Sequence, residues 1–192
     1  KNNYICCMFA KNKHIGICFC DISTGELYAT EISGKDSYNV LTSQLASYNP
    51  REILIGGDIV KLKELPKFIK SKLSAGVEML EDDKFDYSVC KNTVSEHFKD
   101  ESENVSDSEV LVSSIGALLS YLKDTQKSGL ERINHIELYS ESQYMRLDYN
   151  TQRNLELTQT MLTKEKRGSL LWVIDKTKTA MGKRLIRSWL EH

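Results

Sequence analysis

The sequence predicts an α/β fold: a mixed β-sheet flanked by helices, followed by an all-α segment. Three observations carry that prediction. Residues 3–32 hold three closely spaced runs rich in β-branched, aromatic and cysteine residues. Helix-period stretches then alternate with two short apolar runs, the grammar of parallel strands joined by crossovers. Beyond the polar stretch around Gly129 the pattern turns helical.

"YICCMFAK", "HIGICFCDIS" and "ELYATEIS" are the first three strands. Their short links force antiparallel pairing. With Lys11-Asn12-Lys13 as the first loop, Cys6 faces Cys18 across the ladder and Cys20 shares their face. Ser23-Thr24-Gly25 makes the second turn. Tyr38, Leu41, Leu45 and Tyr48 recur at helical spacing, and Asn49-Pro50 stops that helix. "EILIGG" reads as a buried parallel strand. Residues 58–73 are helical, but Pro66 fits a first turn and not an interior, so two short pieces are expected. "GVEML" is a fifth strand. Residues 81–107 are acidic and irregular, with one helical turn near Thr93–Phe98. Ser106 and Glu109 have capping-box spacing, ahead of a stripe of Leu111, Ile115, Leu118, Leu119 and Leu122. Antiparallel strands, helix, strand, helices, strand, helix is the plan of a ribonuclease-H-like sandwich over residues 1–130, with residues 131–192 as a separate helical part.

At 192 residues there is room for one ordinary domain and part of another. A net charge of −1 argues against a dedicated nucleic-acid-binding module. The charge is uneven: residues 81–109 carry ten acids and three lysines, and residues 145–192 carry ten Lys/Arg against five acids. No apolar run is long enough to span a bilayer and no signal peptide is visible. Five cysteines, an odd count, argue against a secreted disulfide framework and for reduced core thiols in a cytoplasmic protein. The closing Leu190-Glu191-His192 resembles the stub of a tag.

The most suggestive carboxylate is Asp21, ending the second strand in "CDISTGEL". Two-metal nucleases place carboxylates along such a sheet to clamp attacking and leaving oxygens. That reading needs partners, and Glu26, Asp58 and Asp107 are the candidates. Asp58 is explained equally well as a helix N-cap. No metal-site signature, phosphate-binding glycine motif or nucleophile elbow accompanies them. His14, His97, His135 and His192 are isolated, and read as surface or hydrogen-bonded polar residues. Cys90, beside Lys91, has no evident base. Lys61, Lys63, Lys67, Lys70 and Lys72 form a basic run without interleaved aromatics, which reads as a solvated helix face. The expected sets of catalytic, cofactor-binding and metal residues are therefore empty.

Residues 145–159, "MRLDYNTQRNLELTQ", and residues 168–190, "GSLLWVIDKTKTAMGKRLIRSWL", carry a more specific signal. Leu147-Asp148, Thr151, Arg153-Asn154-Leu155-Glu156, Gly168-Ser169-Leu170-Leu171, Asp175, Thr177, Thr179, Met181-Gly182, Arg184-Leu185 and Trp189-Leu190 stand at the spacing found at the start of the core domain in the MutS family of DNA mismatch-repair proteins. "DISTGEL" and its sheet resemble the connector domain of that family more loosely. The resemblance implies a non-catalytic connector, residues 1–130, followed by the start of the core domain, residues 131–192. It implies the family's other domains, its partner MutL, and mismatched duplex DNA bound through a full-length dimer. ATP and Mg would belong to an ATPase domain outside this chain. The sequence thus reads as part of a larger machine. Helices in residues 145–189, cut off from the rest of their core, are expected to self-associate rather than fold back.

Overall fold

The computed structural model describes residues 2–140 and Trp189. The helical stretch read from residues 145–189, and its expected self-association, otherwise lie outside the described residues. Three strands open the chain: β1 (Ile5–Lys11), β2 (His14–Asp21) and β3 (Glu26–Ile32). They form an antiparallel meander. Helix α1 (Ser37–Tyr48) leads to β4 (Glu52–Gly57), which pairs parallel to β1. A 3₁₀ turn (Asp58–Lys61) and α2 (Leu65–Lys72) are the two expected pieces, with Pro66 in the first turn of α2. Then come β5 (Gly76–Met79), a 3₁₀ turn (Asp82–Phe85), α3 (Tyr87–His97), α4 (Glu109–Thr125) and a short edge strand, β6 (Glu137–Leu138). The sheet order is β5-β4-β1-β2-β3-β6, a mixed six-stranded sheet with helices on its faces.

Strand alternation sorts the core into two halves. Cys6, Met8, Ile17, Phe19, Ile53 and Ile55 face the α1 and α2 side. Cys7, Cys18, Cys20 and Leu54 face α3 and α4. The expected pairing of Cys6 with Cys18 is corrected by one residue: Cys7 lies opposite Cys18, and Cys6 opposite Phe19. The cause is the turn. Asn12 and Lys13 alone form the loop, both with positive φ (52° and 66°), the two-residue geometry that matches strand twist. A one-residue slip in register exchanges the faces of every side chain.

Helix α4 lies between the sheet and α3, so its burial exceeds one stripe: Val110, Val112 and Ala117 are buried beside the five expected residues. Its close seat on the sheet depends on Gly16 of β2, where a Cβ would collide with the Val110 carbonyl. The expected cap is also corrected. Ser108, not Ser106, is the N-cap, its hydroxyl accepting from the Leu111 N–H at 3.3 Å. Glu109 turns outward to Lys11 at 2.8 Å, and the Ser106 hydroxyl donates to the Glu103 carbonyl. Residues 87–97 form a full helix rather than one turn, capped by Asp86, which accepts from the Val89 N–H at 3.1 Å. Past Gly129 the chain returns to the sheet: Ile133 and Ile136 enter the α4-side core and β6 pairs parallel to β3. Trp189 packs against the α1-side core of its own chain.

Candidate functional site

Asp21 is almost fully buried. Its Oδ1 accepts from the Ser23 hydroxyl (2.6 Å) and the Ser23 N–H (3.0 Å), and its Oδ2 from the Asn3 N–H (3.3 Å). Burial alone would raise its pKa. The hydrogen bonds from Ser23, Asn3 and Thr24 outweigh that and hold the carboxyl below its ordinary value. The Asp21 carbonyl accepts from the Gly25 N–H at 2.8 Å and closes the turn. Gly25 has φ 78°, and a Cβ there would meet the Arg132 carbonyl. Asp21 is therefore the anchor of the β2–β3 turn.

The proposed partners of Asp21 do not converge on it as a metal site. Glu26 is its ladder neighbour, but Glu26 Oε2 accepts from the Tyr4 hydroxyl at 3.2 Å. Burial is the main cause, with Glu26 contributing, that pushes the Tyr4 phenol up to about 12. Asp58 follows the far end of β4, at the opposite end of the strands, and pairs with Lys61 at 3.1 Å. Its side chain caps no helix; Gly57 occupies the N-cap position. Asp107 lies in the turn before α4. Among the described residues, no three His, Cys, Asp or Glu side chains gather to hold a metal ion.

The remaining candidates are equally dispersed. Cys90 is buried, its thiol donating to the Lys84 and Ser113 carbonyls, and burial pushes it up to about 11, away from nucleophile chemistry. The lysines of α2 line its exposed face. His14 meets Glu31 at 3.3 Å. His97 Nε2 donates to the Ile133 carbonyl at 2.6 Å. His135 stands between Glu101 (2.7 Å) and Glu137 (2.9 Å). His192 lies outside the described residues.

What the sequence reading missed is where the acidic segment goes. At the carboxyl ends of β1 and β4 lies an open groove of about 590 Å³, lined by Asp58, Asp82, Asp83, Asp86 and Glu109, with Lys11 beside them. Phe9 and Phe85 stack beneath it at 4.8 Å. Such a rim favours cationic over anionic company. A second cleft, about 560 Å³, opens beside Asp21 at the other end of the strands, between Asn3, Arg51 and Tyr121. On α3, Val89 is the most exposed large apolar side chain among the described residues, at 58%. Local sequence signals could have found the acidic run, Glu109 included, but not that Asp58 joins it across the fold. No helix of the described residues is long and apolar enough to cross a membrane.

Comparison with known proteins gives a concordant result along the chain. Residues 3–137 match the family model described as MutS domain II, and residues 150–192 match MutS domain III. The chain is 39% identical over 191 residues to a protein of Ruminiclostridium cellulolyticum named DNA mismatch repair protein MutS, covering all of this chain and 22% of that protein. Proteins of the same name are 37% identical in Acetivibrio thermocellus and 40% identical in Clostridium tetani, with 22% and 21% of their lengths covered. The chain spans about a fifth of the length of these relatives.

Proposed function

This chain belongs to the MutS family, and from that premise we propose that it is a non-catalytic connector within a mismatch-recognition ATPase of the cytoplasm. Its α/β body links the mismatch-reading part of the parent to the ATPase part and offers a docking surface to MutL. Residues 1–130 are the connector, of ribonuclease-H-like plan, and residues 131–192 begin the core domain. The edge strand at Glu137–Leu138 travels with the sheet it pairs to. ATP and Mg act in the parent's ATPase domain, and mismatched duplex is held by the full-length dimer.

The observation that carries this reading is the match of one chain, over residues 3–137 and 150–192, to two consecutive MutS domains. The dispersal of Asp21, Glu26, Asp58 and Asp107 supports a mechanical role over a chemical one. Transmission requires a body whose placement is biased from both sides. A sheet packed on both faces moves as a unit and suits that role.

The test has two arms. In the first, this chain competes with full-length MutS for purified MutL; absence of competition at saturating chain removes the docking role. In the second, the chain is melted with and without millimolar Mg²⁺ or Mn²⁺. A two-metal nuclease would gain about 2.7 kcal/mol at a hundredfold excess over Kd. Such a gain, with duplex cleavage lost on Asp21→Asn, would replace the connector by a ribonuclease-H-like nuclease.

A further inference from the structure

Residues Ile133–Tyr139 are fastened to the α/β body from both faces of the sheet. On the α3 side, His97 holds the Ile133 carbonyl and the Ile136 N–H donates to Glu101 Oε2 at 2.7 Å. On the α1 side, the Tyr139 hydroxyl donates to Gln44 Oε1 and Thr30 donates to the Tyr139 carbonyl, both at 2.7 Å. Between these fixings stands His135, with Nδ1 facing Glu101 Oε1 at 2.7 Å and Nε2 facing Glu137 Oε2 at 2.9 Å.

The chemistry of that contact is specific. A neutral imidazole carries one N–H, so it can satisfy only one of two carboxylates. Both contacts are bonding only when the ring is the doubly protonated cation. We propose that this stretch is a proton-dependent clasp, closed when the His135 imidazolium bridges Glu101 and Glu137 and loosened when the ring loses its proton. Glu101 comes from the loop after α3 and Glu137 from β6. These two carboxylates are the charged groups that bear on the ring. His97, the other titratable group on the clasp, meets it through the Ile133 carbonyl.

The sign follows from the partners. The hydrogen bond to Glu101, then that to Glu137, raise the His135 pKa. The clasp is thus fully closed below the ordinary imidazole value and opens as pH rises through the raised one. Hydrogen bonds from His135 and then the Ile136 N–H lower the Glu101 pKa, so its share is lost only as pH falls through that lowered value. The match to MutS domain II ends at residue 137 and that to domain III begins at residue 150. The clasp therefore sits at the hand-over, and opening it would lengthen the tether between the two. That consequence rests on the connector reading; the clasp itself does not.

Amide hydrogen exchange on this chain tests it, from about pH 6 to about pH 9, after correction for intrinsic rates. Protection of the Ile136 and Tyr139 amides, which donate to Glu101 and to the Ala29 carbonyl, should fall relative to β1 and β2 by roughly fivefold as pH rises, the scale of an exposed charge pair. His135→Gln should abolish the step and leave those amides poorly protected throughout, with β1 and β2 unchanged. NMR titration should place the His135 pKa above the ordinary imidazole value. A flat profile, a step that survives in His135→Gln, or a loss of protection spread over the whole sheet would overturn the clasp.

Discussion

Asp21 collects three hydrogen bonds on an almost fully buried carboxylate. Replacing it by alanine leaves the Asn3 and Ser23 donors without acceptors, a loss of about 1–3 kcal/mol. Urea denaturation at neutral pH should show that loss in Asp21→Ala, with a smaller one in Asp21→Asn. Because its folded pKa is lowered, the contribution of Asp21 is complete above the ordinary carboxylate value near about 4 and fades as pH falls through the folded value. The wild-type advantage over Asp21→Ala should therefore shrink in acid. At this scale the sequence was legible in identity and not in geometry. Asp21 stood out by its place before a Ser-Thr-Gly turn, yet residue type alone could not say whether its oxygens face a metal or the backbone. The cysteines teach the same lesson: everything hung on whether the loop held Lys11, and positive φ at Asn12 and Lys13 is invisible in composition.

Among the elements, α4 is the best test. Its true cap is Ser108, so Ser108→Ala should cost about 1 kcal/mol. Ser106→Ala, which the capping-box spacing would make the damaging change, should cost less by the same denaturation assay. Gly16→Ala should push α4 off β2, since the clash is with backbone and no side chain can yield. The cost should reach about 1–3 kcal/mol, read as a lower denaturation midpoint at unchanged slope. The strands and α4 were legible because their apolar periods are long and clean. Helix α3 was not, because only Cys90 and Val94 of its residues are buried and its outer face is polar. Its partner, the far side of α4, is known only once the fold is formed. Likewise β6 is two residues long and exposed, so no periodicity announces it.

At the scale of the molecule, the sheet separates two cores, and every one of the five cysteines lies inside one of them. Burial pushes Cys20 up to about 12 and raises Cys6 and Cys7 well above the usual thiol range. Native thiol labelling should consequently be slow and limited by opening of the body, accelerating sharply in urea; one equivalent of rapid label without denaturant would contradict this packing. The sheet was built from its middle outward, and that has a consequence for synthesis. The β1–β2 and β2–β3 pairs are local, whereas the outer edge of β3 is covered by residues 109 positions later in the chain. At about 5–20 residues per second on the ribosome, that edge stays open for roughly 5–20 s after β3 emerges. An exposed strand edge in a nascent chain is a template for pairing with its neighbours on a polysome. Chains that stall before Ile133 would thus be clients for chaperones, while finished ones would have closed their own edge.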